Sequence, residues 1–245
     1  MLTGNWMSPP AAVQLSGKEV HIWRASLAQD QVSVGQLRQI LAPEERKKAE
    51  RYYRSSDRRQ SIVARGILRL IISRYLGFPA AALKFTDNSH GRPSLSEELN
   101  QVGLDFNLSH SGDLVLYAFT CGRSVGIDIE VVREEFATLE IAEEFFSPDE
   151  IVALRSVPEE LRAFAFFNCW TRKESYVKAL GEGLSHPLHC FSVSLRPDEK
   201  AALLGVDGDA DEPERWKMYA LEPGIGYVAA LIASVPLFSL KKWDW

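Results

Sequence analysis

No apolar run long enough to cross a membrane occurs in this chain of 245 residues. The longest apolar stretch, residues 227–238, is interrupted by Ser234 and Pro236, whereas a spanning helix needs about 20 consecutive apolar residues. The first residues, from Met1 to Pro10, also lack the basic and apolar segments of a secretory signal. Both absences argue against a membrane protein or an exported one, and we expect a cytoplasmic protein with no membrane partner.

Cysteine is scarce as well. Cys121, Cys169 and Cys190 are far apart and form neither a CxxC metal motif nor a set of disulfide pairs. This pattern excludes a disulfide-stabilised secreted domain and indicates reduced thiols, as in a reducing compartment.

The chain lacks the positive charge of a general nucleic-acid-binding protein, since its net charge is −5. This average hides an asymmetry along the chain. Residues 46–74 contain ten basic and two acidic side chains, whereas residues 128–160 contain eleven acidic and two basic ones. We expect no nucleic-acid partner, but the basic segment could hold a smaller anion.

An internal repeat underlies this asymmetry. Residues Val20–Ala25 align with Val125–Glu130 at an offset of 105, and Leu41–Glu45 align with Phe146–Glu150 at the same offset. Each member of the second pair places a proline at a predicted helix start and acids in its first turn, where the helix dipole favours them. The order of these features indicates two copies of one structural plan.

Long helical patterns follow in both copies, over residues 61–76 and 164–180, and each ends in Leu-Gly. Strand-like segments come next, including residues 114–120 and 227–233. We therefore predict an α+β fold of two pseudo-symmetric halves, each a small antiparallel sheet packed with a long helix.

The expected division is a flexible N-terminal tail at residues 1–16, a first half at residues 17–123 and a second half at residues 124–245. The cleft between two such halves is a natural ligand site.

Two acids lie in the predicted strand that opens the second half. Asp128 and Glu130 project from one face of it, while Ile127 and Ile129 project from the other. Adjacent carboxylates repel unless a cation lies between them, and hard oxygen ligands suit Mg²⁺. Taken alone, the pattern favours a solvent-facing strand with two acids over a metal site.

The long helix of the second half carries further charged groups. Helical spacing places Trp170, Glu174 and Lys178 on one face, with Lys173 beside them. Such a set could hold a metal-bound diphosphate, because ammonium groups neutralise phosphoryl oxygens. The alternative is a surface Glu–Lys pair next to a core tryptophan.

A polar segment, Phe106–Gly112, precedes the predicted strand at residues 114–120 and indicates a turn. Ser109 and Ser111 there offer hydroxyl donors, and His110 could be protonated beside an anion. The alternative is a turn that its own side chains cap. A Ser-His-Asp hydrolase is disfavoured, because the chain has no G-x-S-x-G motif. Arg92, in a Gly-Arg-Pro turn, could contact a phosphate.

Together, the blocks Asn107–Ser111, Val125–Glu130 and Trp170–Lys178 resemble the surfactin-type (Sfp-type) 4′-phosphopantetheinyl transferases. The resemblance spans residues 20–233, with the blocks in the family's order and at its spacing. It implies a monomeric enzyme, a holo-[acyl-carrier-protein] synthase, that depends on Mg²⁺, with Mn²⁺ as an alternative metal. Such an enzyme moves 4′-phosphopantetheine from coenzyme A to a serine of an apo acyl or peptidyl carrier protein and releases adenosine 3′,5′-bisphosphate.

The resemblance also implies roles for individual residues. The metal ligands would be Asp128, Glu130 and Glu174, and the catalytic residues would be Glu174 and Lys178. The coenzyme A contacts would be Lys48, Ser61, Arg92, Ser109, His110, Lys173 and Lys178. The general base would be Glu174 or a hydroxide ion held by the metal.

Glu45 departs from this pattern, because some relatives carry a basic residue there. Arg46, Arg65 and Arg69 could replace the missing charge near the 3′-phosphate. The physiological carrier stays open among fatty-acid, polyketide and nonribosomal peptide synthesis.

Two other functions also stay open at this point. A metal-dependent hydrolase of coenzyme A, or of another nucleotide diphosphate, could use the same charged groups with water as nucleophile. A module without catalytic activity could bind nucleotides or carrier proteins.

Overall fold

A computed structural model describes residues 5–87, 93–181 and 186–245 of the chain. The helices are α1 Gln31–Ile40, α2 Pro43–Glu50, α3 Ser55–Leu76, α4 Leu139–Phe145, α5 Pro148–Ser156 and α6 Glu159–Leu180. The strands are β1 Glu19–Ser26, β2 Phe85–Asp87, β3 Pro93–Leu95, β4 Leu104–Ser111, β5 Leu114–Cys121, β6 Val125–Val131, β7 Phe191–Val193, β8 Leu203–Val206, β9 Trp216–Leu221, β10 Tyr227–Ser234 and β11 Ser239–Asp244. Within these ranges, no helix has the length and apolar character to cross a membrane.

The larger sheet has the strand order β11-β1-β5-β4. Strand β1 is antiparallel to β5 and parallel to β11, with Trp23 opposite Tyr117 on one side and Trp243 on the other. The last strand of the chain therefore completes the sheet that the first strand begins.

A second sheet has the order β6-β10-β9, and all its pairs are antiparallel. Two-stranded sheets, β2-β3 and β7-β8, flank the larger ones. The predicted α+β class, with small, largely antiparallel sheets and one long helix for each half, is confirmed. The residue boundaries of the tail and the two halves stay predictions.

The two long helices, α3 and α6, have 22 residues each. They end at Gly77 and Gly181, whose φ angles of 73° and 75° lie in the left-handed region that glycine adopts most readily. Both begin at least one turn before the apolar periodicity does, at Ser55 and Glu159. Their first turns are polar, so hydrophobic spacing alone does not reveal these starts.

Three hydrophobic clusters form the core. One joins α3 to one face of the larger sheet, and a second joins α6 to the second sheet. The third lies between the sheets and includes Ile22, Leu116, Ile127, Ile129 and Leu231, each fully buried. Each long helix therefore covers one sheet, and the sheets are held together by apolar contacts between them.

One local prediction is wrong. Residues 106–111 belong to strand β4, and the turn begins only at Gly112, where φ is +54°. Asn, Ser and His side chains in this stretch resemble turn composition. They are stabilised as a strand by pairing with β5 along the full length of β4.

Candidate functional site

Helix α6 lies directly on strand β6, and Gly126 makes this approach possible. A Cβ atom at Gly126 would lie 1.9 Å from the carbonyl oxygen of Ser175 and 2.6 Å from the backbone nitrogen of Ala179. Any side chain there would push the helix away. The close approach brings the turn of α6 that carries Glu174 and Lys178 next to the acids of β6.

The Lys178 ammonium group forms the centre of the site. Its Nζ lies 2.6 Å from Asp128 Oδ1 and 2.9 Å from Ser109 Oγ. The Ser109 hydroxyl in turn donates to Asp128 Oδ1 over 2.7 Å. One carboxylate oxygen therefore has two donors, one from α6 and one from β4, although Asp128 is only 3% exposed.

Glu130 lies two residues along the same strand. Its Oε2 accepts a 2.7 Å hydrogen bond from the hydroxyl of Ser111. Burial raises the pKa of the Glu130 carboxyl; the bond from Ser111 opposes this rise, and the charge of Asp128 adds to it.

Glu174 completes the group of acids from α6. Burial raises the pKa of its carboxyl, and the charge of Asp128 raises it further. The charge of Asp128 also raises the pKa of Glu130, and the charge of Glu130 raises that of Glu174. We call Asp128, Glu130 and Glu174 the acid cluster.

Two carboxylate oxygens of the acid cluster accept no hydrogen bond from the part of the chain that the structure describes. Among the described residues, Asp128 Oδ2 and Glu174 Oε1 are buried and have no hydrogen-bond partner. Buried oxygens without a partner are costly unless a cation or a ligand satisfies them. Hard, negatively charged oxygens of this kind suit Mg²⁺. In the described ranges no three Asp, Glu, His or Cys side chains are already arranged around a metal position, and the Lys178 ammonium lies on Asp128 Oδ1. The chemistry of the three carboxylates and their two unpaired oxygens, rather than a formed metal site, is what fits a cation.

His110 projects from the opposite face of β4 to Ser109. Loss of hydration lowers the pKa of its imidazole, and the Lys178 ammonium lowers it further. Both effects favour the neutral ring, which offers one donor and one acceptor to a ligand.

His110 also lines a cleft of about 640 Å³, within the usual size range of small-molecule sites. Helices α2 and α3 supply most of the wall, and β2, β3 and β4 supply the rest. The lining residues that could bind a nucleotide are Lys48, Tyr52, Gln60, Ser61, Arg65 and His110. Two residues of the basic segment, Lys48 and Arg65, therefore line this cleft, together with the acids Glu44, Glu45 and Asp57.

The Glu45 side chain forms ion pairs with two arginines of α3. Its carboxylate pairs with Arg65 and with Arg69, whose Nε lies 2.7 Å away, and it accepts a bond from the Ala42 nitrogen. Burial alone would raise the pKa of Glu45, but the bond from Arg69 and the charge of Arg65 bring it below its ordinary value.

The expectation that three arginines replace the missing basic residue needs correction. Arg69 is 1% exposed and donates to backbone oxygens, so it does not reach the cleft. Arg46 donates to the Leu41 oxygen. Arg65 is the one of the three that lines the cleft, where its guanidinium lies 3.9 Å from the ring centroid of Phe85.

Lys173 also lies apart from the predicted site. Its side chain is fully buried, and its Nζ lies 2.8 Å from Glu150 Oε2. It donates further bonds to the oxygens of Leu188 and Phe191, at 2.8 and 2.6 Å. Successive residues of an α-helix point about 100° apart, so Lys173 cannot follow its neighbour Glu174 towards β6. The predicted contact between Lys173 and coenzyme A is not present in this geometry.

Arg92 and Trp170 are the other residues that the sequence singles out. Arg92 lies outside the described residues. Trp170 packs against Phe145 and Phe166 and lines a second groove of about 310 Å³, together with Glu130 and Phe136. The groove thus contains one member of the acid cluster, Glu130, whereas the described lining of the cleft contains none of the three. The cleft approaches them through His110, whose pKa responds to the charges of Lys178 and Asp128.

Sequence reasoning missed the contacts of Asn107 and Ser111 with β6. Their positions at steps of two, with Ser109 between them, indicate one face of a strand. The interpretation of this segment as a turn concealed that signal.

Two family models match the chain. One, described as the 4′-phosphopantetheinyl transferase superfamily, covers residues 124–232. The other, described as 4′-phosphopantetheinyl transferase, N-terminal, covers residues 23–121.

Individual relatives match as well. The 4′-phosphopantetheinyl transferase HetI of Nostoc sp. is 36% identical over 245 residues, which is all of both chains. The 4′-phosphopantetheinyl transferase Sfp of Bacillus subtilis is 33% identical over 199 residues, or 81% of this chain and 84% of the relative. A solved holo-[acyl-carrier-protein] synthase of Thermotoga maritima overlaps with 45% of this chain and 62% of its own, at 24% identity and a TM-score of 0.36.

Proposed function

Because this chain belongs to the 4′-phosphopantetheinyl transferase superfamily, and is thus an enzyme that transfers phosphopantetheine from coenzyme A to carrier proteins, we propose how its residues divide this reaction. The observation that supports the proposal is the convergence of the acid cluster and Lys178 beside a cleft of nucleotide size. We propose that the acceptor is a serine of an apo acyl or peptidyl carrier protein and that adenosine 3′,5′-bisphosphate leaves.

The 640 Å³ cleft would hold the nucleotide end of coenzyme A. Lys48 and Arg65 supply positive charge to its wall, and Ser61 supplies a hydroxyl donor. We assign the 3′-phosphate to Lys48 and Ser61. Arg92 stays assigned to a phosphate contact by resemblance.

The diphosphate would lie beside the acid cluster. Asp128, Glu130 and Glu174 would hold Mg²⁺, or Mn²⁺ in its place, and the unpaired oxygens of Asp128 and Glu174 support this assignment. When bound, the ion would neutralise charge on the diphosphate oxygens and so favour phosphoryl transfer.

Lys178 would stabilise the leaving group. Its ammonium, now on Asp128 Oδ1, is within reach of a diphosphate that enters between β4 and α6. Positive charge fixed there favours the negative charge that develops on the leaving oxygen. His110 would position a phosphate through a hydrogen bond. Ser109, whose proton lies on Asp128 in this structure, stays assigned to the phosphates by resemblance.

Glu174 would accept the proton. Its buried Oε1 atom has no hydrogen-bond partner among the described residues and is available to accept a proton. The serine oxygen forms a bond to the phosphorus that carries pantetheine, the bond from that phosphorus to the nucleotide oxygen breaks, and the serine proton passes to Glu174.

The carrier serine would approach through the groove at Glu130, Phe136 and Trp170. An in-line displacement needs the nucleophile opposite the leaving group. The nucleotide occupies the cleft at His110, so the groove, which shares no lining residue with that cleft, is the open approach.

We propose that the enzyme acts as a cytoplasmic monomer without a nucleic-acid partner. Every residue assigned to the reaction comes from one chain, and β4, β6 and α6 bring the central ones together. The division into a tail at residues 1–16 and halves at 17–123 and 124–245 is proposed on the same repeat.

The test is transfer to purified apo acyl and apo peptidyl carrier proteins with coenzyme A and Mg²⁺, followed by the gain in carrier mass. We expect Asp128→Ala and Glu174→Ala to lower turnover by about 10² or more, with unchanged thermal unfolding. Turnover close to that of the unmodified enzyme in either variant would refute its assignment. A sample without carrier measures any hydrolysis of coenzyme A, which should be slow.

A further inference from the structure

Polar side chains of β4 replace backbone pairing along β6. The two strands belong to different sheets. The backbone N–H of Ile127 donates to Asn107 Oδ1 over 2.9 Å, and that of Val131 donates to Ser111 Oγ over 3.1 Å. Both acceptors are at most 8% exposed. Asn107 and Ser111 therefore supply the acceptors that a neighbouring strand's carbonyl groups would otherwise provide.

Ser111 also forms a hydrogen bond to an acid of β6. Its hydroxyl donates to Glu130 Oε2 over 2.7 Å while it accepts from Val131. A hydroxyl has a single proton, so the bond to Glu130 uses its whole donor capacity. The bond from Val131 fixes the oxygen, and the proton then fixes the carboxylate.

The surroundings of Ser111 leave it little freedom to move. The next residue is Gly112, where a Cβ would lie 2.7 Å from Tyr227 Oη and 2.8 Å from Val131 Cγ2. The backbone nitrogen of Asp113 donates to the same tyrosine oxygen over 3.2 Å. The end of β4 is thus held against β6 and β10.

Each acid of β6 therefore has its own serine on β4. Ser109 donates to Asp128, which Lys178 also contacts, whereas Ser111 donates to Glu130. A neutral donor can hold a carboxylate in place without adding a positive charge that competes with a bound cation.

We propose that Ser111 is a positioning residue for the cation site, and that it acts by orienting the Glu130 carboxylate. This inference rests on the proposed function, since it takes Glu130 as a metal ligand. Partners that orient metal-binding carboxylates typically change metal affinity by about 10- to 100-fold when they are removed.

The experiment measures Mn²⁺ binding to the full-length chain by calorimetry, with saturating coenzyme A and no carrier. We expect Ser111→Ala to weaken Mn²⁺ binding about 10-fold and Ser111→Thr, which keeps the hydroxyl, to recover it to within about 3-fold. Thermal unfolding without metal is recorded for each variant.

Ser194→Ala is the matched control. Ser194 is 4% exposed; its hydroxyl accepts from the Ala202 nitrogen and from Arg172 Nη1, at 2.9 and 3.0 Å, and donates to the Lys200 oxygen over 2.8 Å. The control thus removes a buried hydroxyl with a backbone N–H donor, as in Ser111, but with no acid among the partners that the structure describes. We expect it to lower the unfolding temperature and to leave Mn²⁺ affinity unchanged. Equal Mn²⁺ affinity in Ser111→Ala and the unmodified chain would overturn the proposal and leave Ser111 a purely structural role.

Glu130→Gln separates this inference from the proposed function. Tight Mn²⁺ binding by Glu130→Gln, or no binding by the unmodified chain, would refute the proposed metal site itself. A double variant combines Ser111→Ala with Glu130→Gln. If Ser111 acts through Glu130, this variant should lose no more Mn²⁺ affinity than Glu130→Gln alone. An additive loss of Mn²⁺ affinity would contradict the inference. Should Ser111→Ala not fold, Ser111→Cys, a weak donor of similar size, takes its place under the same criteria.

Discussion

Each half of the molecule buries a glutamate from a short helix against a cation from its long helix. In the first half Glu45 of α2 binds Arg69 of α3, and in the second Glu150 of α5 binds Lys173 of α6. The glutamates lie 105 residues apart and the cations 104. Each cation also donates to two backbone oxygens just beyond the end of its helix, those of Ala80 and Leu83 or of Leu188 and Phe191.

The first strand of each half differs in function from its counterpart. Asp128 on β6 corresponds to Trp23 on β1, and Lys178 corresponds to Arg74. The Arg74 guanidinium lies 5.3 Å from the centroid of the Trp23 ring, whereas the Lys178 ammonium binds the Asp128 carboxylate. The same positions thus hold a cation over an aromatic ring in one half and an ion pair in the other.

Helix approach differs as well. Gly126 and Ala179 allow backbone contact between β6 and α6, while their counterparts His21 and Tyr75 keep two large side chains between β1 and α3. At the cleft the charged residue lies in the first half instead: Lys48 lines it, and the corresponding residue of the second half is Ala153. The comparison teaches that the shared ion pairs are buried in both halves, whereas the unshared positions are the ones that we propose for the reaction.

The largest expected effect comes from the buried pair of the second half. Lys173→Met leaves Glu150 buried without its cation and should lower the free energy of unfolding by about 3–5 kcal/mol. Arg69→Met should cost less, because Arg65 still pairs with Glu45. Chemical denaturation measures both. A stable Lys173→Met with a raised KM for coenzyme A would instead restore Lys173 to the binding site.

Gly126→Ala should separate α6 from β6 and so weaken the second half selectively. Overpacking of this kind costs about 1–3 kcal/mol, and displacement of Glu174 and Lys178 should lower kcat about 10-fold or more. Gly35→Ala in α1 is the control, because a Cβ there would meet nothing within 4 Å. Normal kcat in Gly126→Ala would show that close approach of the helix is not needed.

Lys48→Ala should weaken the binding of coenzyme A without slowing the chemical step. Loss of a charged contact to phosphate should raise KM for coenzyme A about 10-fold with kcat nearly unchanged. Lys47→Ala removes a neighbouring exposed lysine that does not line the cleft, and it should leave both constants unchanged. An equal effect of the two substitutions would mean that only the general charge of α2 matters.

The smallest effect concerns acid stability. Burial lowers the pKa of His21 to about 4, against about 6.5 for an unfolded chain. Between these values the unfolded chain binds a proton that the folded one does not, so this residue's share of stability falls as pH drops from about 6.5 to 4. His21→Gln should lose less stability than the unmodified protein across this window. Identical pH dependence in thermal melts would contradict the shift.

Much of the fold could be predicted because the repeat supplies two examples of each element. Strands β1, β5, β6 and β10 and the proline-capped helices α2 and α5 lie where the sequence pattern predicts them. The side chains of Asp128 and Lys178 lie 2.6 Å apart, and the roles assigned to them and to Glu174 stay predictions.

The rest depended on contacts that are distant in sequence. The role of Lys173 is set by Glu150, which lies 23 residues before it, and helical periodicity does not say which face meets another helix. Sequence patterns did not reveal the polar face of β4, because Asn and Ser are common in turns. In this strand the same residue types bond to β6 through their side chains.

Strand β11 makes the two halves inseparable as physical fragments. It covers the edge of β1, Arg24 binds Asp244, and the nitrogen of Trp245 donates to the Arg24 oxygen. A fragment ending near residue 123 would leave β1 as an open edge, which favours aggregation. Anyone who expresses the first half alone should therefore append residues 239–245 to it, and C-terminal tags should be joined through a flexible spacer.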